Sequence, residues 1–174
     1  MPLADTLLRL AAGPRLYLPK WSDRIMAEVS RALQQNFDLS PQKAAYRESQ
    51  IRQHFPEAWV EGYDDLIPEM TNDPKDRHVL PAAARASVRV IVTNNLKDFP
   101  PVSLAPYSIS VQGPSTFLRS LYVTAPSAVI ETLQAQASAI GRNTDYLLSR
   151  LRINAPAFVA TIEAAMRPNS ANNT

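Results

Sequence analysis

Apolar positions recur at helical spacing from the first residues, with Leu3, Leu7 and Leu10 on one face and Leu8 beside them, which predicts a helix over 1–13. The run Arg15-Leu-Tyr-Leu-Pro19 reads as a short strand stopped by proline. Ser22 is a good N-cap for a helix over 23–35, with Ile25, Met26, Val29 and Leu33 as its stripe. Ser40-Pro41 repeats the cap signal for a helix that runs to about Phe55, where Pro56 ends it. Residues 58–60 could form a strand. Asp73-Pro74 opens a third capped helix, with Val79, Leu80 and Ala83 on its apolar side.

Residues 88–92, Val-Arg-Val-Ile-Val, are β-branched and nearly all apolar, as in a strand buried on both faces of a parallel sheet. A second strand is predicted over 107–111. Helices alternating with short strands indicate an α/β layered fold. After Gly113-Pro114 only helical spacing remains, over 115–122, 126–140, 145–153 and 156–166. Gly141 reads as a C-cap, and Thr144 and Asn154 as N-caps. The expected organisation is a domain over 1–114, a helical extension over 115–168 and a loose tail over 169–174.

Composition narrows the chemistry. Cysteine is absent, which removes disulfides, zinc–thiolate sites and thiol catalysis, and fits a cytoplasmic protein. Four scattered glycines cannot build a dinucleotide fingerprint or a P-loop. No apolar run reaches the ~18 residues of a transmembrane helix, and no signal peptide precedes the first helix. The formal charge is +2; residues 1–114 carry 13 basic and 13 acidic side chains, and 115–174 carry 5 and 3. Neither part is a basic arm, so the overall field does not argue for nucleic acid or a membrane.

The chemistry therefore rests on carboxylates. There are two histidines, His54 and His78, and no nucleophile-elbow sequence. Asp73-Pro-Lys-Asp76 sets two carboxylates three residues apart at a helix start, Asp98 follows the apolar strand, and Glu28 flanks the stripe of its helix. Hard carboxylates at the C-terminal ends of strands suit Mg²⁺ or Mn²⁺. Each also has a plain reading. Asp73 is most simply an N-cap, Asp76 faces a helix dipole, Asp98 braces a turn, and Glu28 is a solvated helix residue.

Several segments together resemble a bacterial branch of the PIN-domain family. They are Trp21-Ser-Asp-Arg-Ile-Met-Ala-Glu-Val-Ser-Arg31, Phe55-Pro-Glu-Ala, Val60-Glu-Gly-Tyr63, Asp73-Pro-Lys-Asp-Arg-His-Val-Leu80 and Val90-Ile-Val-Thr-Asn-Asn-Leu-Lys-Asp-Phe-Pro100. The resemblance covers about 1–118 and implies a PIN-like α/β/α sandwich with a central parallel sheet, with a helical C-terminal region. It implies a metal-dependent ribonuclease, often the toxin of a toxin–antitoxin pair, with RNA as substrate, an antitoxin protein as partner and a homodimer as assembly. It implies Glu28, Asp76 and Asp98 as catalytic residues and as ligands of Mg²⁺ or Mn²⁺. Relatives place Asp where this chain has Asn95, and Asp98 three residues on takes that role; Thr93 lines the same site, with Asp73 beside it.

Two departures stand against the family pattern. The strand that carries the first catalytic Asp has no counterpart ahead of the helix at Leu3, so the resemblance implies a chain with little or no nuclease activity, and a non-catalytic protein that binds an antitoxin or RNA becomes the alternative. Pro81 stands where relatives tend to have Ala, and a proline inside a helix costs about 3 kcal/mol and kinks it. A generic α/β scaffold with a partner-binding helical tail is the remaining reading.

Overall fold

The computed structural model describes residues 2–167; the tail expected over 169–174 lies outside the described residues. Nine α-helices and two strands follow along the described chain: α1 Pro2–Ala12, α2 Asp23–Phe37, α3 Pro41–His54, α4 Val79–Arg85, β1 Val90–Val92, α5 Pro101–Leu104, β2 Ser110–Gln112, α6 Pro114–Thr124, α7 Pro126–Ala139, α8 Thr144–Leu151 and α9 Pro156–Met166. Short 3₁₀ turns join several of them, including Pro74–Asp76 and Leu96–Asp98. The protein is thus mixed α/β and mostly helical. The described residues divide into two compact units, 2–17 with 113–167, and 18–112.

The first unit is a helical bundle. The helix α1, which the sequence reading grouped with residues up to 114, packs here on α7 and α8, while α6 packs on α9 and α7. Leu10, Leu118, Val129, Leu133, Leu147, Leu151, Phe158 and Ile162 are buried together. The apolar stripe over 129–162 (Val129, Leu133, Ala137, Leu147, Leu148, Leu151, Phe158 and Ile162) is thus buried within this unit together with Leu10 of α1 and Leu118 of α6, while Ile140, Tyr146 and Ile153 are exposed. Gly141 adopts φ +65°, and the N–H groups of Gly141 and Arg142 donate to the carbonyls of Ser138 and Ala137 at 2.9 and 3.0 Å. That is the hydrogen-bond pair of a Schellman stop, so glycine is required there. The cap of α8 is Asn143, not Thr144: its Oδ1 accepts from the Tyr146 N–H at 2.9 Å.

The strand expected over Arg15–Pro19 does not form. Arg15 turns into the left-handed region at φ 50°, and the Leu16 N–H folds back to the Leu10 carbonyl at 3.0 Å. That reversal spends the donor a ladder needs, and Pro19 has none.

The second unit holds the sheet. The strands β1 and β2 pair in parallel, with Val90, Ile91 and Val92 opposite Ser110, Val111 and Gln112. Both are three residues long, shorter than the predicted runs. Ile91 is buried but Val92 is exposed, because each strand of a two-stranded sheet is an edge. The stretch at 58–60 contributes a single parallel bridge, Trp21 to Trp59, with the Trp21 N–H on the Ala58 carbonyl and the Val60 N–H on the Trp21 carbonyl. The core joins Leu80 and Ala83 of α4, Ile91, Phe99, Leu104 and Ile109. The helix α2 packs on α3 and buries Met26 and Leu33, and its Ser22 cap accepts the Ile25 N–H at 3.3 Å. Val29, expected on the stripe, is exposed.

Pro81 carries no kink. The single helix expected after Asp73-Pro74 breaks at Arg77-His78 into a 3₁₀ turn and α4, so Pro81 is the third residue of α4. An N–H in the first turn has no intrahelical partner to lose. The expected 3 kcal/mol penalty therefore does not apply. Among the described residues no helix is long and apolar enough to cross a membrane.

Candidate active site

Glu28, Asp73, Lys75, Asp76, Asn95, Lys97 and Asp98 line one cavity of about 370 Å³ in the second unit. Three separate segments bring them there. Glu28 projects from the middle of α2, whose register is set by the Ser22 cap and the buried Met26 and Leu33. Asp73 and Asp76 bracket the Pro74–Asp76 turn; the Asp73 side chain accepts the Lys75 N–H at 2.9 Å, and the Asp76 N–H donates to the Asp73 carbonyl at 3.0 Å. Asp98 ends the Leu96–Asp98 turn, and Phe99 beside it anchors that turn in the core. The Asp73 N–H donates to the Asp98 carbonyl at 3.2 Å and ties the last two segments together.

The plain reading of Asp73 as a cap is what the geometry shows, and the same carboxylate also faces the cavity. Thr93 is not among the lining residues. Its hydroxyl oxygen accepts the Asn95 N–H at 3.1 Å and shapes the turn that presents Asn95.

Electrostatics mark Asp76. Burial pushes its carboxyl above the ordinary range, and the charges of Asp98, Glu28 and Asp73 push the same way, against an opposing pull from His78. A carboxyl in a cleft whose proton affinity is raised by burial and by nearby charge marks a candidate functional site. Lys75 and Lys97 are exposed at the rim and form no ion pair among the described residues. The sequence held no signal for these lysines, since a lysine beside an aspartate is ordinary helix surface. His78 was visible only as one of two histidines. It is fully buried, with its Nε2 3.2 Å from Glu28 Oε2, close but out of hydrogen-bond alignment.

In kind, these oxygen donors suit a hard divalent cation. In arrangement, no group of three or more His, Asp or Glu side chains among the described residues is placed to hold one metal ion. A larger hollow of about 640 Å³ lies at the α7–α8 corner, but Arg142 is its one charged lining residue and no acid faces it. It offers none of the chemistry that the acidic cavity concentrates.

Comparison with known proteins finds a similarity over part of the chain. Over 76 residues the chain is 51% identical to the protein named "Putative ribonuclease VapC50" of Mycobacterium tuberculosis, a match that covers 42% of this chain and 45% of that protein. The chain thus spans about half the length of the curated relative it matches. No family model and no solved structure matches it.

Proposed function

We propose that this chain is a PIN-type endoribonuclease of the toxin class, dependent on Mg²⁺ or Mn²⁺, that cuts RNA in the cytoplasm and pairs with an antitoxin protein. One observation carries the reading: carboxylates from three separate segments line a single cavity and raise the proton affinity of Asp76. The likeness to a protein named as a ribonuclease supports the same reaction class. The parallel β1–β2 pair, packed with α4 and α5, is compatible with a PIN-like α/β/α sandwich.

Glu28, Asp76 and Asp98 are the residues proposed to hold the cation, with Asp73 and Asn95 beside them. Mg²⁺ commonly takes one or two carboxylates and completes its shell with water and substrate phosphate, so a set of three converged donors is not a requirement. When bound, such an ion activates water for attack on a phosphodiester and offsets the charge that develops on the phosphoryl oxygens. The chain's own residues supply the rest. Lys75 and Lys97 at the rim attract phosphate oxygens of the RNA backbone. The raised proton affinity of Asp76, from burial and then from the neighbouring acids, marks a concentration of negative charge that a bound cation would offset. Asn95 presents an amide that can donate to a phosphate or hydroxyl oxygen.

The scarcity of converged donors favours a second reading, a non-catalytic pocket that binds RNA or an antitoxin. The two separate on incubation of the chain with single-stranded RNA and Mn²⁺. Cleavage that disappears in Asp76→Asn supports the enzyme, while retention of RNA without cleavage supports the binder. A homodimer belongs to the proposal as the pairing PIN domains commonly adopt, although the stripe over 129–162 needs no second copy to cover it. Light scattering that gives a monomer at every concentration removes it.

A further inference from the structure

We propose that His78 is a positioning residue that holds the Glu28 carboxylate toward the acidic cavity; this rests on reading that cavity as a ribonuclease centre. His78 sits immediately before α4 with 0% of its side chain exposed. Among the described residues neither ring nitrogen makes a hydrogen bond. A buried imidazole with two unsatisfied nitrogens is unfavourable, and an apolar side chain of similar size would remove the defect. Its contact with Glu28 gives a reason for a histidine there. The Nε2 stands 3.2 Å from Glu28 Oε2, and a modest rotation of that carboxylate aligns it with an Nε2–H donor.

Glu28 needs such a contact. Its side chain is 43% exposed, and no other described residue bonds to it. A glutamate rising from a helix into water samples several rotamers, and fixing one of them costs entropy. The imidazole is locked by the packing around α4 and gives that carboxylate a fixed point. It also lies between two segments distant in the chain: α2, which carries Glu28, and the stretch before α4, where Asp76 ends its turn two residues upstream of His78. His78 itself touches neither substrate nor solvent, so its effect passes through Glu28.

Substitution separates this role from simple packing. His78→Leu removes both orphan nitrogens, so its melting temperature should hold or rise, while the turnover rate on RNA falls about tenfold with little change in KM. His78→Gln, whose amide N–H reaches the same carboxylate, should recover most of the rate. In a Glu28→Gln background His78→Leu should add no further loss. Full turnover in His78→Leu, or a loss additive with that of Glu28→Gln, overturns the proposal. Imidazole ¹⁵N spectra of the unsubstituted protein decide it independently of any activity. A protonated Nε2 whose resonance moves in Glu28→Gln supports the contact, and an unprotonated Nε2 overturns it. If the unsubstituted chain cuts no RNA, the ribonuclease reading falls and the spectra alone decide His78.

Discussion

The backbone N–H of Asp73 donates to the carbonyl oxygen of Asp98 at 3.2 Å. This single bond ties the turn that carries Asp73 and Asp76 to the turn that carries Asp98. Both turns are short, and both present a carboxylate to the same cavity. Backbone hydrogen bonds and the buried Phe99 hold these turns, and among the described residues Asp73, Asp76 and Asp98 form no ion pair.

That repulsion has a signed effect on stability. Burial and the neighbouring acids raise the Asp76 pKa in the folded protein, so the fold binds this proton more tightly than the unfolded chain does. The resulting stability is present below the ordinary value of 3.8 and is lost as pH rises through the raised folded value. At neutral pH the ionised side chain works against the fold. Asp76→Asn should therefore raise the urea midpoint at pH 7, and the gain should vanish below about pH 3.8. A neutral-pH midpoint lower than that of the unsubstituted protein would show that Asp76 is held by contacts rather than strained by them.

Asp73 has two roles that two substitutions can part. Its side chain caps the Pro74–Asp76 turn through the Lys75 N–H. Asp73→Ala should cost about 1 kcal/mol of stability, as loss of a cap usually does. Asp73→Asn keeps an accepting oxygen and should cost little, while removing one negative charge from the cavity. Equal denaturation curves for the two variants would exclude the cap as the source of the loss.

The helical unit offers a test away from the site. Gln136 is buried at 2% exposure; its Oε1 lies 2.8 Å from the Thr6 hydroxyl, and its Nε2 donates to the Pro2 carbonyl at 3.1 Å. These bonds fasten α1 to α7. Gln136→Ala removes both bonds while the Thr6 hydroxyl still reaches the Pro2 carbonyl at 2.9 Å, so at roughly 0.5–1.5 kcal/mol per bond it should cost about 1–3 kcal/mol. Amide exchange at the N-terminus should accelerate more than exchange in α9. Uniform acceleration throughout the bundle would mean that α1 is not separately fastened.

What the sequence made legible was chiefly local. The Ser22 and Ser40 caps, the Gly141 stop and the four C-terminal helices follow from residues within one turn of each element, and that information survives without tertiary context. The Leu-Tyr-Leu run misled because three apolar residues fit a strand or a packed reversal equally, and the Leu16 bond to Leu10 decided for the reversal. Pro81 misled because its cost depends on where the helix begins, and the break falls at Arg77 and the buried His78. The acidic positions could be named from motif alone, but their meeting in one cavity depends on how α2 and two loops fold together. Which nitrogen of His78 faces Glu28 has no trace in any local pattern.

The most direct measurement is the rate of single-stranded RNA cleavage in Mn²⁺ by three purified proteins: the unsubstituted chain, Asp76→Asn and Asp145→Asn. Asp145 lies in the first turn of α8, outside the acidic cavity. Cleavage by the unsubstituted chain, unchanged in Asp145→Asn and reduced about 100-fold or more in Asp76→Asn, is the expected result, and it would set aside the low activity that the departure from the family pattern implies. Cleavage that persists in Asp76→Asn, or that is absent from the unsubstituted chain, would contradict the assignment of this cavity as a ribonuclease centre.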